Sequence, residues 1–381
     1  MIPSPRRARA GLFAAFASLG VTAAFVPALL PAAEQRLDAP LSIAVPALFA
    51  GLLVGVLLSG PLLVRRPTRM TLLIGTGLQS VALVAVALAP APTIFIAAAA
   101  VAGLGFGLVE AAGSVAAKAA AVGSATGLLS ALLGTVAVCA ALTPLAVAAG
   151  AAVPAALSIL AAVPLTAVVL LAGSAPRSIS AAPERRDLRG LRMLLPFALA
   201  LPLYVGVETV LSGWSAVIPG RALTLDPAAA ALGTSVFWAL MALGRFGAAA
   251  LRRGSVSPVS ILAVGTVGAA CLMTTAGVTV SDAPIIALLA LAAAVVLLAP
   301  SYGLILGLAL DRLDAARGAA VTGALVACGA VGGTFVPALV LVVGRDPASS
   351  TTLLMSAGLC ALVAVIVVGA VRTRRASSSP R

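Results

Sequence analysis

The chain has 381 residues, of which 62% are hydrophobic and 9% are charged. Soluble proteins use roughly 45–50% apolar and about 25% charged residues, so this composition excludes an ordinary soluble protein and indicates that lipid is the solvent. The net charge of +13 does not indicate nucleic acid, because the cations lie in small clusters between apolar runs. We therefore expect a multi-pass helical membrane protein in a lipid bilayer, without a nucleic-acid partner.

The basic N-terminal segment and the apolar run behind it resemble a signal peptide. The run is long enough to span a bilayer, however, and further spans follow it, so we interpret it as an uncleaved first helix. A spanning helix needs about 20 apolar residues. Runs of that length, separated by short polar breaks, predict twelve spans at 11–31, 42–63, 70–90, 93–115, 124–148, 153–172, 193–218, 228–250, 257–279, 284–309, 319–343 and 351–371.

The distribution of Lys and Arg predicts the orientation of these spans, because short cytoplasmic loops hold an excess of both. With the N-terminus inside, the inner segments hold 20 of the 24 cations. The outer segments hold three, Arg36, Arg221 and Arg345, and Arg245 lies within a span. We therefore expect both termini in the cytoplasm and the protein in the cell membrane.

The longest internal polar stretch, residues 173–192, divides the chain into two halves. It has the Ser, Pro and charge content of a flexible linker. Six spans lie on each side, so the predicted domains are 1–172, the linker 173–192, and 193–381. Local patterns recur at matching places in the two domains: a Gly followed by an arginine pair, then Gly-Thr in the next span, and Pro in the fifth span. The first set is Gly60, Arg65–Arg66, Gly75–Thr76 and Pro144; the second is Gly247, Arg252–Arg253, Gly265–Thr266 and Pro337.

The loop between the second and third spans carries a resemblance to the major facilitator superfamily. That family has a loop of the form Gly-x-Leu-Ala-Asp-Arg-x-Gly-Arg-[Arg/Lys], and this chain has Gly60, Leu62, Arg65 and Arg69 at matching places, with Val64 in place of the acid and Pro67 in place of the second Gly. The resemblance implies an all-α membrane fold of twelve transmembrane helices in two pseudo-symmetric six-helix bundles. It also implies a solute pathway between the bundles and a gating role for Arg65 and Arg69 on the cytoplasmic side.

A narrower resemblance is to the fucose-type sugar:proton symporters. Residues 203–214, 237–251 and 103–115 are similar to the seventh, eighth and fourth spans of that branch. An acid in the fourth span takes part in proton coupling there, and the matching residue is Glu110. The acid that the branch has in its first span is missing here.

Only two of the eleven acids, Glu110 and Glu208, lie within predicted spans. A charge at membrane depth costs about 2.5–3.5 kcal/mol on insertion scales and usually faces a cavity or a partner. A carboxyl group that holds a proton in the membrane and releases it to water would serve proton coupling. The alternatives are a structural hydrogen bond for Glu208 and contact with cytoplasmic water for Glu110.

Further candidates lie near these acids in the predicted spans. Tyr204 precedes Glu208 by one turn and shares its face, so it could line the pathway. Arg245 is expected to pair with Glu110 or with an anionic substrate, although its side chain could instead extend to the headgroups. Substrate contacts are further assigned to Trp238, to Tyr302 after the helix-breaking Pro300, and to Gln79, with helix packing as the alternative for Gln79. Trp214, near a span end, is typical of an interfacial anchor.

These features together predict a secondary active transporter of a small organic solute, coupled to protons and acting as a monomer. Uptake of a sugar-like solute and efflux of a drug or metabolite both remain open. A non-transporting sensor or membrane enzyme is the alternative, but clustered polar residues and a soluble domain are missing. All four cysteines lie in apolar runs and histidine is absent, so we predict neither a metal site nor a cofactor, and no enzymatic activity.

Overall fold

The structure is a computed structural model and describes residues 5–120, 125–150, 153–172, 193–253, 256–310 and 315–377. The predicted linker 173–192 lies outside the described residues. The described helices are α1 (Pro5–Leu37), α2 (Ala44–Arg65), α3 (Thr68–Leu88), α4 (Pro92–Ala120), α5 (Ala125–Gly150), α6 (Pro154–Leu157), α7 (Ala162–Ala172), α8 (Leu195–Gly213), α9 (Val217–Ala222), α10 (Pro227–Arg253), α11 (Pro258–Thr279), α12 (Pro284–Leu298), α13 (Ser301–Leu310), α14 (Ala315–Gly344) and α15 (Ser350–Ser377).

Twelve helical segments in these ranges are long and apolar enough to cross a membrane, which confirms the number predicted from the sequence. Ten of them are single helices. The sixth consists of α6, a 3₁₀ turn at Ser158–Ala161 and α7, and the tenth consists of α12 and α13. The predicted all-helical, multi-pass membrane fold is thereby confirmed.

Polar residues begin several of these helices, as expected when the first backbone N–H groups lack partners within the helix. The Asp226 carboxylate accepts hydrogen bonds from the N–H groups of Ala228 and Ala229, both at 3.0 Å, at the start of α10. Ser257 accepts from the Ser260 N–H at 3.0 Å in the same way before α11. Proline at the first helical position of α10 and α11 fixes a helical φ without losing a needed donor.

The seventh span differs from the prediction of 193–218, because α8 ends at Gly213 and the short α9 follows. After the helix ends, the Ser215 hydroxyl donates a 2.9 Å hydrogen bond to Thr234 of α10. Gly233 allows this approach, since a Cβ there would lie 2.2 Å from the Ser215 carbonyl oxygen. Trp214 in this turn is 0% exposed, so it is packed inside the protein and is not an interfacial anchor.

Contacts group the residues into two compact units. The first comprises Met1–Pro183, Ser215–Gly220 and Leu225–Trp238, and the second comprises Glu184–Trp214, Arg221–Thr224 and Ala239–Arg381. Residues 227–238 of α10 thus belong to the first unit and residues 239–253 to the second.

Glycine gives the first unit its tightest helix packing. A Cβ on Gly103 of α4 would lie 1.8 Å from the Leu48 carbonyl oxygen of α2, and a Cβ on Gly51 would lie 1.9 Å from that of Ala100. Small residues are enriched at membrane helix interfaces because they let the backbones approach. The "AGLGFG" stretch at 102–107 therefore serves packing between α2, α3 and α4.

The second unit repeats the helix pairing of the first. In the first unit α1 packs against α5, and α3 packs against α4 and α7. In the second, α8 packs against α14, and α11 packs against α12 and α15. These are the same spans counted from the start of each half, so the repeat seen in the sequence is a repeat of packing.

The Gly-Thr pairs show this correspondence at atomic detail. Thr76 and Thr266 are both 0% exposed, and each hydroxyl donates a 2.8 Å hydrogen bond to the carbonyl four residues earlier. The glycine before each threonine lies close to a backbone oxygen of the next span. A Cβ on Gly75 would lie 2.8 Å from the Gly105 oxygen, and a Cβ on Gly265 would lie 2.6 Å from the Leu297 oxygen.

Candidate functional site

An ion pair joins two spanning helices of the second unit. The Arg245 Nη2 of α10 lies 3.5 Å from the Glu208 Oε1 of α8, and the two side chains are 47% and 20% exposed, respectively. Both residues were singled out from the sequence, but the sequence offered Glu110 as the protein partner of Arg245. The structure places Glu208 in that position.

A break in the tenth span supplies a second contact for Arg245. The span is interrupted at Pro300, with α12 ending at Leu298 and α13 beginning at Ser301. The Arg245 Nε donates a 3.3 Å hydrogen bond to the Ala299 carbonyl beside this break. Proline has no N–H group, so Pro300 cannot donate to the carbonyl of Val296, four residues earlier. Helix α10 comes close to this carbonyl, because a Cβ on Gly244 would lie 2.1 Å from its oxygen. Arg245 thus connects three helical segments, α8, α10 and the α12–α13 break.

Arg245 lies opposite two of the exposed apolar side chains of α10. Val236 and Leu243 are 54% and 60% exposed. At about 100° per residue, they lie roughly 180° and 200° around the helix from Arg245. Exposed apolar side chains mark the lipid-facing side of a spanning helix. Arg245 therefore lies on the opposite side of α10 from Val236 and Leu243, whereas Phe246, which is 76% exposed, lies about 100° from it.

Two tyrosines and a serine of the second unit lie on α8, which carries Glu208, and on α13, which begins at the break beside Ala299. Tyr204 of α8 is 1% exposed. Its hydroxyl interacts with the Glu208 carboxyl group but, among the described residues, has no partner in ordinary hydrogen-bond geometry. Tyr302 and Val205 of α8 both lie close to Gly329 of α14. A Cβ on Gly329 would be 3.9 Å from the Tyr302 ring and 3.1 Å from the Val205 side chain. Ser301 is 0% exposed, and its hydroxyl is also without a partner in the described part of the chain.

Glu110 lies on α4 in the first unit. Its neighbours Val109 and Ala112 belong to a buried apolar cluster that includes Phe16 and Leu72. The Ser114 hydroxyl donates to the Glu110 backbone carbonyl at 2.9 Å, whereas the carboxyl group has no hydrogen bond or ion pair with any described residue. Glu110 is thus a carboxyl group without a cation beside it in the described part of the chain.

Gln79 and Trp238 also belong to the first unit. Gln79 is 0% exposed, and its Oε1 accepts a 2.7 Å hydrogen bond from the Thr22 hydroxyl, which joins α3 to α1. The Trp238 ring packs edge-on against Phe237 with the ring centroids 5.5 Å apart. The Gln79 Nε2 and the Trp238 Nε1 are buried donors that lack acceptors among the residues described.

The two loop arginines differ in their surroundings. Arg65 is exposed at the end of α2, whereas the Arg69 Nη2 donates to the Ala172 carbonyl at the C-terminal end of α7. Arg7 donates to Val169 near the same helix end at 3.4 Å. In the described ranges, no group of three or more His, Cys, Asp or Glu side chains could hold a metal ion.

The site contains features that the sequence did not indicate. Three helices must be rotated in a particular way about their axes to bring Glu208 and Arg245 together. The same rotation decides where the Ala299 carbonyl and the Ser301 hydroxyl lie. The only signal in the sequence was Pro300, which marked the place where backbone groups would be exposed within the membrane.

No protein-family model and no curated protein sequence matches the chain. Solved structures of similar fold do match over almost the whole length. The fucose:proton symporter of E. coli is 17% identical with a TM-score of 0.63, covering 97% of this chain and 99% of that one. The xylose transporter of E. coli, in a partially occluded inward-open conformation, is 14% identical with a TM-score of 0.74, covering 95% and 98%.

A third similar structure is a bacterial homologue of the human lysosomal transporter Spinster, at 12% identity and a TM-score of 0.76, covering 97% of this chain and 98% of that chain. The fold shared with these proteins is the major facilitator fold. The chain therefore has the fold that its resemblance to the major facilitator superfamily predicted, with twelve spanning helices in two pseudo-symmetric sets of six.

Proposed function

We propose that the protein is a secondary active transporter that couples the movement of a small organic solute to protons by alternating access. The observation that carries this proposal is the Glu208–Arg245 pair, which joins two spanning helices of a major facilitator fold. The similar structures include symporters that use protons, which agrees with a coupled carrier. We further propose a monomer in the cell membrane with both termini in the cytoplasm.

The coupling role falls to Glu208 and Glu110. Glu208 can exchange its ion pair with Arg245 for a proton, because the pair is 3.5 Å long and both side chains are partly exposed. Glu110 has no cation partner among the described residues and lies beside an apolar cluster, where an ionised carboxylate is costly. A proton that enters from one side and leaves to the other would therefore pass through carboxyl groups that are stable at depth only when paired or neutral.

Tyr204, Tyr302, Trp238 and Gln79 are proposed to contact the solute. The buried donors on Trp238 and Gln79 lack acceptors among the described residues. Buried polar groups are normally satisfied, so a solute or water that accepts from them would complete their bonding. Arg65 and Arg69 are proposed to act at the cytoplasmic side, where Arg69 already holds the end of α7.

The test is solute-driven proton flux in proteoliposomes that contain a pH-sensitive dye. A panel of neutral sugars, sugar acids and lipophilic cations is added outside, without an imposed gradient. Symport acidifies the lumen when solute enters, whereas antiport, the expected mode of efflux, makes the lumen alkaline. The sign of the signal therefore decides between uptake and efflux.

Glu208→Gln is the diagnostic variant and should abolish gradient-driven transport. Asp282→Asn is its matched control, since Asp282 is an exposed carboxylate between α11 and α12. Unchanged proton-coupled transport in Glu208→Gln would remove Glu208 from the mechanism. A protein that moves neither solute nor protons would favour the sensor or enzyme alternative.

A further inference from the structure

The charge balance around Arg245 carries an inference about the solute, which rests on the transport function proposed above. The described contacts of the Arg245 side chain are one hydrogen bond from Nε to Ala299 and one ion pair from Nη2 to Glu208. A guanidinium group has five N–H donors in a planar fork that matches a carboxylate at two points. Most of these donors are not used by the described residues, and the side chain is 47% exposed.

The ion pair itself is long for a charge-assisted hydrogen bond. Such bonds between N–H and a carboxylate are about 2.7–2.9 Å, whereas Arg245 Nη2 and Glu208 Oε1 are 3.5 Å apart. The contact between the two side chains joins Nη2 to Oε1 at that distance. Arg245 therefore keeps a geometry in which a second carboxylate can bind better than Glu208 does.

We propose that the transported solute is an organic monocarboxylate, and that Arg245 binds its carboxylate in competition with Glu208. In the empty protein Arg245 pairs with Glu208. When the solute binds, its carboxylate takes the fork of Arg245, and Glu208 is released and takes a proton from the open side.

The charges explain why solute and proton move together. With Glu208 ionised and no solute, the pair has no net charge. With the solute bound and Glu208 protonated, the site again has no net charge. If the solute binds without the proton, the site has one net negative charge. If the proton binds without the solute, Arg245 is left without a counter-charge. Both states are costly at membrane depth. One proton therefore accompanies each carboxylate, which is symport without net charge movement.

The same balance limits the solute class. A phosphate dianion would leave one negative charge even with Glu208 protonated, and a neutral sugar would leave Arg245 unpaired. Besides Arg245, the ionisable group that interacts with Glu208 in the described part of the chain is Tyr204, one turn earlier on the same helix, and it does not change this balance because it is a neutral donor. The buried hydroxyls of Tyr204 and Ser301 can donate to the solute.

Binding to the purified full-length protein tests the proposal through matched pairs of probes. Gluconate is compared with glucitol, lactate with lactamide and benzoate with benzamide, by calorimetry and thermal shift at constant ionic strength. Phenyl phosphate tests the dianion. The wild type should bind a carboxylate and not its neutral partner. Glu208→Gln should bind it at least about tenfold more tightly, because Arg245 has lost its competitor, and Arg245→Gln should bind it about 30-fold more weakly or worse.

Two further variants protect the test from misfolding. Glu208→Gln combined with Arg245→Gln removes both charges, so it should fold even if Arg245→Gln alone does not, and it should bind neither member of any pair. Arg245→Lys keeps the charge but loses the fork, and should bind less tightly than the wild type. Arg9→Gln, an exposed cation at the start of α1, should bind as the wild type does.

The proposal is overturned if the wild type binds a carboxylate and its neutral partner equally, or if it prefers phenyl phosphate. It is also overturned if Arg245→Gln binds the carboxylate as the wild type does, or if even Glu208→Gln binds no carboxylate. Proton flux in proteoliposomes separates this failure from failure of the transport function. If neutral sugars drive proton flux, the protein is a proton-coupled transporter and the carboxylate inference is wrong. If a carboxylate drives proton flux that responds to membrane potential, the one-to-one balance is wrong.

Discussion

Arg69 at the start of α3 donates a hydrogen bond to the backbone carbonyl of Ala172, the last residue of α7. The last four carbonyls of a helix have no partner within it, and a cation there also interacts favourably with the negative end of the helix dipole. Arg7 donates to Val169 in the same turn. Two arginines from different helices thus complete the end of the sixth span, just before the predicted linker.

Replacing Arg69 by Gln should lower the free energy of unfolding by about 1–2 kcal/mol, because the helix end loses a charged donor. Arg65→Gln is the matched control, four residues earlier and exposed, and should change stability by less than about 0.5 kcal/mol. Thermal unfolding in detergent measures both. Equal loss in the two variants would mean that the charge of the loop matters and the contact with Ala172 does not.

The close approach of α2 and α4 gives a second prediction. Gly103→Ala would place a Cβ 1.8 Å from the Leu48 oxygen, so the helices must move apart, and we expect a loss of about 2–3 kcal/mol or failure to fold. Gly77→Ala in α3 is the control, since nothing lies within 4 Å of a Cβ there. Alanine is favoured over glycine within a helix by about 1 kcal/mol, so that variant should be as stable as the wild type or more so. Detergent melting and yield after extraction compare them, and a tolerated Gly103→Ala would contradict the packing.

The sequence predicted the spans well because the bilayer restricts them strongly. Its thickness sets the length of each helix, and its lack of water requires every backbone hydrogen bond to be satisfied within the helix. The repeats were also visible, because Gly75–Thr76 and Gly265–Thr266 pack against the next span in both halves and therefore keep the same residue types.

The partner of Arg245 could not be predicted in the same way. Glu208 is separated from Arg245 along the chain by the turn at Trp214 and by α9, and their meeting depends on the rotation and depth of two helices, which hydropathy does not encode. Trp214 shows the same limit. Its position near a span end fitted an interfacial anchor, but the helix ends early and the ring is buried inside the protein.

The two tryptophans allow a fluorescence test of the proposed solute contact at Trp238. They are the only ones in the sequence, and Trp214 is 0% exposed. Trp214→Phe leaves Trp238 as the sole reporter, and its emission should change when a solute that drives proton flux is added. Trp238→Phe leaves Trp214, whose emission should stay constant. A response in Trp238→Phe alone would place the solute away from Trp238.

The hydrogen bond between Thr22 and Gln79 separates the packing and binding interpretations of Gln79. The Thr22 hydroxyl donates to Oε1 at 2.7 Å, while Nε2 has no acceptor among the described residues. Thr22→Val should cost about 0.6 kcal/mol, the average for hydrogen bonds between membrane helices, and at most about 1.7 kcal/mol. Gln79→Leu should cost less, because it removes an unsatisfied amide, and the freed Thr22 hydroxyl can bond to its own backbone. Adding Thr22→Val to Gln79→Leu should then have little further effect on detergent melting. If Gln79 also contacts the solute, Gln79→Leu should impair transport while Thr22→Val does not, and full transport in Gln79→Leu would leave Gln79 with a packing role alone.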